Sequence, residues 1–420
     1  MAQVEITAMT FGPFGVGRLE DRTVMVPNSV PGDLLEVRVV GQRAGSLLAR
    51  AQKVLRRSPA RRPPPCPYLP RCGGCDWQQI DYAAQVRLKG EIIASSLNRS
   101  LGLELDPATL VESAPAEFGY RARVRLKVDS HGRLGFHEAG SRRLVEIDHC
   151  MVAAEEIRMP REFAREIRCE EIEIVADTGR EVVVGHLARP PGRSEIGCAR
   201  TMVERDARLA GVVLRAGGAR ELIGETAIRV ALEPGLELEA DADLFSQINR
   251  AQNLRLVAAV MEMAALQTGA RVLDLFCGAG NFSLPAARRG AAVTGVDADV
   301  AAVAAASGNA QRMGFTRAEF SALKAAELAR FLSRARYRPD VVIMDPPRAG
   351  ARELIEPLVA MRAPRVIYVS CDVATLARDL RALRAGGYMI AVVRAFDFFP
   401  NTHHTELVAH AVLTSVARHS

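Results

Sequence analysis

The chain has 420 residues, 49% hydrophobic and 25% charged, which suits about three globular domains and excludes a disordered or fibrous protein. No repeat, low-complexity tract or apolar run of about 18 residues is present, and Met1–Thr7 has no basic or apolar leader, so a cytoplasmic protein with no membrane partner is expected. In that reducing setting the eight cysteines are expected as metal ligands, catalysts or core residues, and the net charge of +6 becomes informative through its distribution.

From Val37 to Cys75 there is no acidic residue, while Arg38, Arg43, Arg50, Lys53, Arg56, Arg57, Arg61, Arg62 and Arg71 all fall there. Such a block is a solvated surface or a footprint for phosphate. Residues 1–57 read as short strands broken by turns at Gly12–Gly17 and Val30–Asp33, with Leu35–Val40 alternating at period two. Several short strands in so little chain predict a small barrel of the kind that holds oligonucleotides across its face. The segment resembles a TRAM domain, an OB-like RNA-binding module of RNA-modifying enzymes.

Arg61-Arg62-Pro63-Pro64-Pro65 is a stiff linker into Cys66-x5-Cys72-Gly73-Gly74-Cys75. Three thiolates need a fourth donor, and Cys150 is the best candidate. Four thiolates suit zinc or an iron–sulfur cluster, and cysteines with no metal are the third option. A helix is expected over Tyr82–Leu101. Tyr120–Val128 then alternates strictly, placing Arg121, Arg123, Arg125 and Lys127 on one face, either along a phosphate backbone or in solvent. Residues 58–240 are assigned to a central α+β domain, in which 155–240 carry few chemical signals.

From 241 to 420 strands alternate with helices, the pattern of a doubly wound parallel sheet. Val272–Phe276 is its first strand, followed by Cys277-Gly278-Ala279-Gly280-Asn281-Phe282-Ser283 and a helix. The glycines let a ligand approach the helix start. Asp297 ends the next strand at the spacing of a ribose-binding acid. Ser283 stands where the dinucleotide fingerprint has its third glycine, so a ligand with ribose and no pyrophosphate fits better: S-adenosylmethionine. Asp340–Met344 is a further buried strand whose Asp345 is held extended by Pro346 and Pro347. Val366–Asp372 is a buried strand that delivers Cys371 to the same edge, as a nucleophile or an inert core thiol. Glu406 opens the last strand, as a surface carboxylate or a base.

Together these motifs resemble the RNA uridine-5-methyltransferases, specifically the branch with an iron–sulfur cluster that methylates 23S ribosomal RNA. The likeness spans nearly the whole chain: the TRAM-like start, C-x5-C-x2-C with distant Cys150, D-L-F-C-G-x-G, D-P-P-R-A-G, Y-V-S-C and H-x-E-x-V. It implies a class I (Rossmann-like) methyltransferase domain over 241–420, Cys371 as nucleophile and Glu406 as base. It further implies Gln247, Phe276, Asn281, Asp297 and Asp345 around S-adenosylmethionine, and a [4Fe-4S] cluster on Cys66, Cys72, Cys75 and Cys150. The expected partner is RNA, met by a monomer. Transfer-RNA uridine methylation and a non-catalytic RNA-binding ribosome assembly factor are the alternatives. Two departures stand out. Asp372-Val373 replace the family's Asn-Pro, and an ionised Asp accepts hydrogen bonds where Asn can donate one. Between Phe320 and Arg330 no residue is assigned to the adenine.

Overall fold

The computed structural model describes residues 2–43, 45–324, 327, 328, 330 and 337–414. By contacts the chain divides into two compact units, one of Met1–Glu117, Gly135–Ile147 and Ala395–Thr405, the other of Phe118–Leu134, Asp148–Arg394 and Glu406–Ser420. Among the described residues no helix is long and apolar enough to cross a membrane.

In the first unit, β1 (Ala2–Met9), β2 (Phe14–Leu19), β3 (Arg22–Pro27), β4 (Leu34–Arg43) and β5 (Ser46–Arg56) close into a barrel in the order β1-β2-β3-β5-β4. The period-two pattern supplies its core: Val4, Ile6, Val24, Val26, Leu35, Val37, Leu47 and Ala49 point inward. The alternation of β4 is half-buried only to Val37; Val39 and Val40 are exposed, so the strand runs on past the barrel core. Helix Tyr82–Leu101 has the expected bounds and stops at Gly102, whose φ of 61° suits a residue without Cβ. Its buried Lys89 donates to Asp397 at 2.6 Å, an ion pair with both side chains almost fully enclosed. The strand β6 (Val111–Glu112) follows. Chain order then passes β7 (Arg123–Val128), in the second unit, before β8 (Leu134–His137) and β9 (Leu144–Glu146) form a hairpin.

The second unit holds two sheets. One runs β13-β12-β11-β10-β7, where β10 is Glu171–Asp177, β11 Arg180–His186, β12 Leu209–Ala216 and β13 Ala219–Gly224. The hairpin β14 (Ala227–Glu233) and β15 (Leu236–Asp241) packs Val230, Leu232 and Leu238 with Val182 and Val213 of that sheet and with Leu284. The other sheet is the expected doubly wound one. Its order is β18-β17-β16-β19-β20-β22-β21, with β16 Arg271–Leu275, β17 Ala292–Asp297, β18 Ala318–Ala322, β19 Val341–Met344, β20 Arg365–Ser370, β21 Tyr388–Phe396 and β22 Glu406–Leu413. Strands β16 to β20 are parallel, and β22 enters antiparallel to β20. The buried runs are continuously apolar because helices cover both faces of such a sheet.

The basic face of β7 differs from a phosphate track. Its neighbour β10 brings Glu171 and Glu173 alongside, pairing with Arg125 and Lys127 and, at 2.8 Å, with Arg123. The face is an ion-pair ladder across two strands.

Candidate active site

Three neighbouring strands bring the catalytic candidates to one end of the sheet. Asp345 follows the last residue of β19, Cys371 follows the last residue of β20, and Glu406 is the first residue of antiparallel β22. Parallel strands end together, so their following residues converge. The antiparallel β22 starts where its neighbour ends, which puts Glu406 at that edge: Ser370 pairs with Leu407.

The electrostatics agree with the placement. Burial pushes the Cys371 thiol up to about 11, reinforced by the charges of Glu406, Asp345 and Asp372. Glu406 is 5% exposed, and burial with the Asp345 charge raises it well above the ordinary carboxylate range. Burial likewise raises Asp345 to about 7. Carboxyls this close resist a second negative charge, so the free site holds protons that exposed carboxyls would have lost. Gln247 faces the same carboxyl, its Nε2 donating to Asp345 Oδ2 at 3.4 Å.

The glycine loop after β16 forms the adjoining wall. Phe276 sits at φ 62°, a left-handed conformation that an aromatic residue adopts only under constraint. Gly278 donates its N–H to Asp297 Oδ2 at 2.9 Å, and Asp299 N–H donates to Oδ1 at 2.9 Å. The Asp297 carboxylate is thereby aimed at the loop. Asn281 makes a reciprocal amide pair with Asn253, at 2.9 and 3.1 Å. The Asn281 side chain is therefore engaged with helix Arg250–Ala264, a partnership no sequence pattern announces.

Sequence reasoning also missed Asp274, which is fully buried beneath the loop. Ser283 Oγ donates to it at 2.5 Å, and burial raises this carboxyl to about 7 against the opposing effect of that hydrogen bond. The serine in the third-glycine position was the available signal. Cys277 is 3% exposed; burial, then the charges of Asp274 and Asp297, push its thiol far up, which marks an inert core thiol.

Asp372 has a defined local task. Its Oδ1 accepts the N–H groups of Ala374 and Thr375 at 3.0 Å each, capping helix Val373–Ala385. Its Oδ2 meets Arg348 Nε at 3.4 Å. Both oxygens are thus committed to protein partners.

The cysteine motif is arranged differently. Cys66, Cys72 and Cys75 lie in the first unit and Cys150 in the second. Cys72 is buried and forms an isolated bridge with Glu138, while Gly73 N–H donates to His137 O at 3.0 Å. A Cβ on Gly73 would fall 2.8 Å from that carbonyl, so the loop packs against the β8–β9 hairpin only because glycine stands there. Among the described residues no three of His, Cys, Asp and Glu are gathered into a metal-binding group. Of residues 320–330, where the adenine contact was sought, 325, 326 and 329 lie outside the described residues.

Comparison with known proteins accords with the sheet and its edge. A family model described as tRNA (Uracil-5-)-methyltransferase matches residues 232–413. The chain is 32% identical to the 23S rRNA (uracil(1939)-C(5))-methyltransferase RlmD of Pectobacterium atrosepticum, over 96% of this chain and 92% of that one. It is 34% identical to the enzyme of the same name from Pseudomonas entomophila, over 94% and 90%. Among solved structures it resembles the tRNA (uracil-54, C5)-methyltransferase of Pyrococcus abyssi in complex with S-adenosyl-L-homocysteine. That likeness has a TM-score of 0.76 and 26% identity, over 98% of this chain and 100% of that one.

Proposed function

Since the chain belongs to the RNA (uracil-C5)-methyltransferase family, we propose that it forms 5-methyluridine in 23S ribosomal RNA from S-adenosylmethionine, through a covalent bond between Cys371 and C6 of the uracil. The observation that carries this reading is a thiol and two carboxyls converging beyond β19, β20 and β22. Full-length identity of 32% to 34% to proteins named for 23S RNA favours ribosomal over transfer RNA as substrate. A ribosomal RNA substrate also fits a cytoplasmic enzyme.

C5 of uracil is a poor nucleophile. Cys371, as thiolate, adds to C6 and turns C5 into an enolate carbon. S-adenosylmethionine, when bound, supplies a methyl group on a cationic sulfur. Glu406, as carboxylate, then removes the proton from the methylated C5, and elimination breaks the C6–S bond to restore Cys371. Gln247, Phe276, Asn281, Asp297 and Asp345 form the cofactor pocket in this reading. Asp297 would accept the ribose hydroxyls and Asp345 would face the cationic end, while Asn281 would act by fixing the glycine loop through Asn253. The uracil must leave its stack for Cys371 and the methyl donor to reach it from opposite faces. The barrel of 1–57, read as a TRAM domain, and the central domain of 58–240 would hold the RNA, while 241–420 carry out the transfer.

Cys66, Cys72, Cys75 and Cys150 are the right donors for a [4Fe-4S] cluster, because soft thiolates are what such clusters take. The close packing of the Cys72–Gly73 turn supports a structural role for it, and no step of methyl transfer runs through it. Iron and acid-labile sulfide in anaerobically purified protein, lost on Cys72→Ala, would be the sign of the cluster.

The test of the function is mass spectrometry of the protein with S-adenosylmethionine and unmodified 23S RNA, comparing wild type with Glu406→Gln. Wild type should make 5-methyluridine, and the variant should accumulate RNA bound to Cys371. No adduct and no methylation of 23S or transfer RNA would favour an RNA-binding assembly factor.

A further inference from the structure

The segment that leads to Gln247 has no strand to hold it. It runs from the end of β15 at Asp241 to the helix that starts at Arg250. Side chains of the other sheet hold it: Arg215 and Arg220 bind Asp243, and Arg123 takes the carbonyls on either side of that residue. Arg123 Nη2 donates to Ala242 O at 2.6 Å and to Leu244 O at 2.7 Å, and lies 3.5 Å from Ser246 Oγ. Next to it Ala122 N–H donates to Ile248 O at 2.9 Å, so residues on both sides of Gln247 are tied to the start of β7.

Arg123 is itself held. Its Nη1 donates to Glu173 Oε2 at 2.8 Å, and Glu173 Oε1 is 2.6 Å from His186 Nε2. The side chains of Arg123, Glu173 and His186 are 12%, 10% and 20% exposed. Burial would raise the Glu173 carboxyl, but the hydrogen bond from His186 and the charge and hydrogen bond of Arg123 prevail and hold it at about 2. The carboxylate is therefore ionised throughout the working range of an enzyme. A buried ion pair is weak evidence of stabilisation by itself, because desolvation offsets its attraction. What sets this one apart is where its free valence goes: into two carbonyls of an irregular segment.

We propose that Arg123, braced by Glu173 and His186, is a positioning residue that fixes the 242–246 segment and thereby sets the Gln247 amide against Asp345 in the cofactor pocket. The inference rests on Gln247 being a cofactor contact. A lysine cannot replace this arginine, because an ammonium presents its donors from one point while the guanidinium fork reaches a carboxylate and two carbonyls at once.

The test is a double-mutant cycle read by calorimetric binding of S-adenosylhomocysteine to the full-length protein, with thermal unfolding recorded alongside. Gln247→Ala should weaken binding about tenfold, the loss of one hydrogen bond to a polar ligand group. Arg123→Lys should weaken it by a similar factor, and the double variant should bind no more weakly than Gln247→Ala alone. In steady state, KM for S-adenosylmethionine should rise in Arg123→Lys with kcat largely kept. Effects that multiply, or wild-type binding by Arg123→Lys, would overturn the inference. Wild-type binding by Gln247→Ala would overturn the Gln247 reading, and the inference with it, and the single variant shows this by itself. If Arg123→Lys does not fold, Glu173→Gln takes its place, keeping the side-chain shape while removing the charge. A smaller but still non-multiplying loss is then expected, and a multiplying one or none refutes the role.

Discussion

Cys371 should be a slow thiol in the free enzyme, and the structure gives the scale. Burial and three neighbouring carboxyls raise it from 9.0 to about 11. Below both values the thiolate fraction then falls by about a hundredfold, since each pKa unit is a factor of ten. Alkylation by iodoacetamide, followed by peptide-resolved mass spectrometry across pH 7 to 11.5, measures this directly. The Cys371 peptide should react with a midpoint near 11, slightly ahead of Cys169, whose thiol burial alone raises to about 12. Glu406→Gln supplies the sharper test. Burial and the Asp345 charge raise Glu406 well above its ordinary range, so the difference between wild type and variant should grow with pH. As Glu406 ionises at higher pH its charge suppresses the thiolate only in wild type, and the variant should pull ahead by about threefold, because burial, the larger cause, is untouched. A wild-type midpoint at or below 9, or profiles that coincide at every pH, would refute the convergence of thiol and carboxyl on which the mechanism depends.

Other consequences can be checked in the same protein. Asp345 is raised to about 7 from 3.8; the folded state therefore holds its proton more tightly, a contribution full below the unfolded value and lost as pH rises through the folded one. Asp345→Asn should gain on wild type by about 3 kcal/mol between pH 5 and pH 8 in denaturant melts. Lys89→Met, which strips the buried Asp397 of its 2.6 Å ion-pair partner, should cost about 3–5 kcal/mol, and adding Asp397→Leu should recover most of that. Asp372→Ala should cost about 1 kcal/mol through loss of the helix cap, while Asp372→Asn should be nearly neutral in stability. In both Asp372 variants the Cys371 midpoint should move down, since one of the charges raising it is gone.

The methyltransferase sheet was legible because its signals are local. Buried parallel strands appear as continuous apolar runs, and Val272–Phe276, the strand ended by Asp297 and Asp340–Met344 fall within a residue of the ends of β16, β17 and β19. The catalytic candidates were legible for the same reason, since Asp345 and Cys371 each follow such a run and Glu406 opens one. Strand β21 was not assigned from sequence; its alternation is broken by the exposed Ala391 and Val392.

What the sequence hid is pairing. Alternation in β7 displayed a row of cations, but their carboxylate partners arrive on β10, more than 40 residues later. A stretch that carried few chemical signals, 155–240, thus contains Glu173 and His186, the two residues that brace Arg123. Chemistry of this kind has no local spacing to betray it, because partners on neighbouring strands share a face and not a motif. The Asn253–Asn281 pair, between a helix and the glycine loop, likewise has no local spacing to announce it.

Ser283 and Asp372, which each depart from an expected fingerprint, both have local partners in the fold. Ser283 stands where a dinucleotide site has glycine, and its hydroxyl meets Asp274, a carboxyl with no exposure to water. A glycine there would keep its backbone N–H on Asp274 but remove the hydroxyl's hydrogen bond, at a cost of about 1 kcal/mol. Asp372 stands where the family has asparagine, at the first turn of helix Val373–Ala385. Asp and Asn cap helices almost equally well, so the fold accepts either. Only the charge differs, and it falls beside Cys371. Arg348, from the Asp-Pro-Pro-Arg motif, stands 3.4 Å from the second oxygen of Asp372 and answers that charge. Asp372 thus caps its own helix, and Arg348 partly answers its charge, so the fold needs no asparagine there.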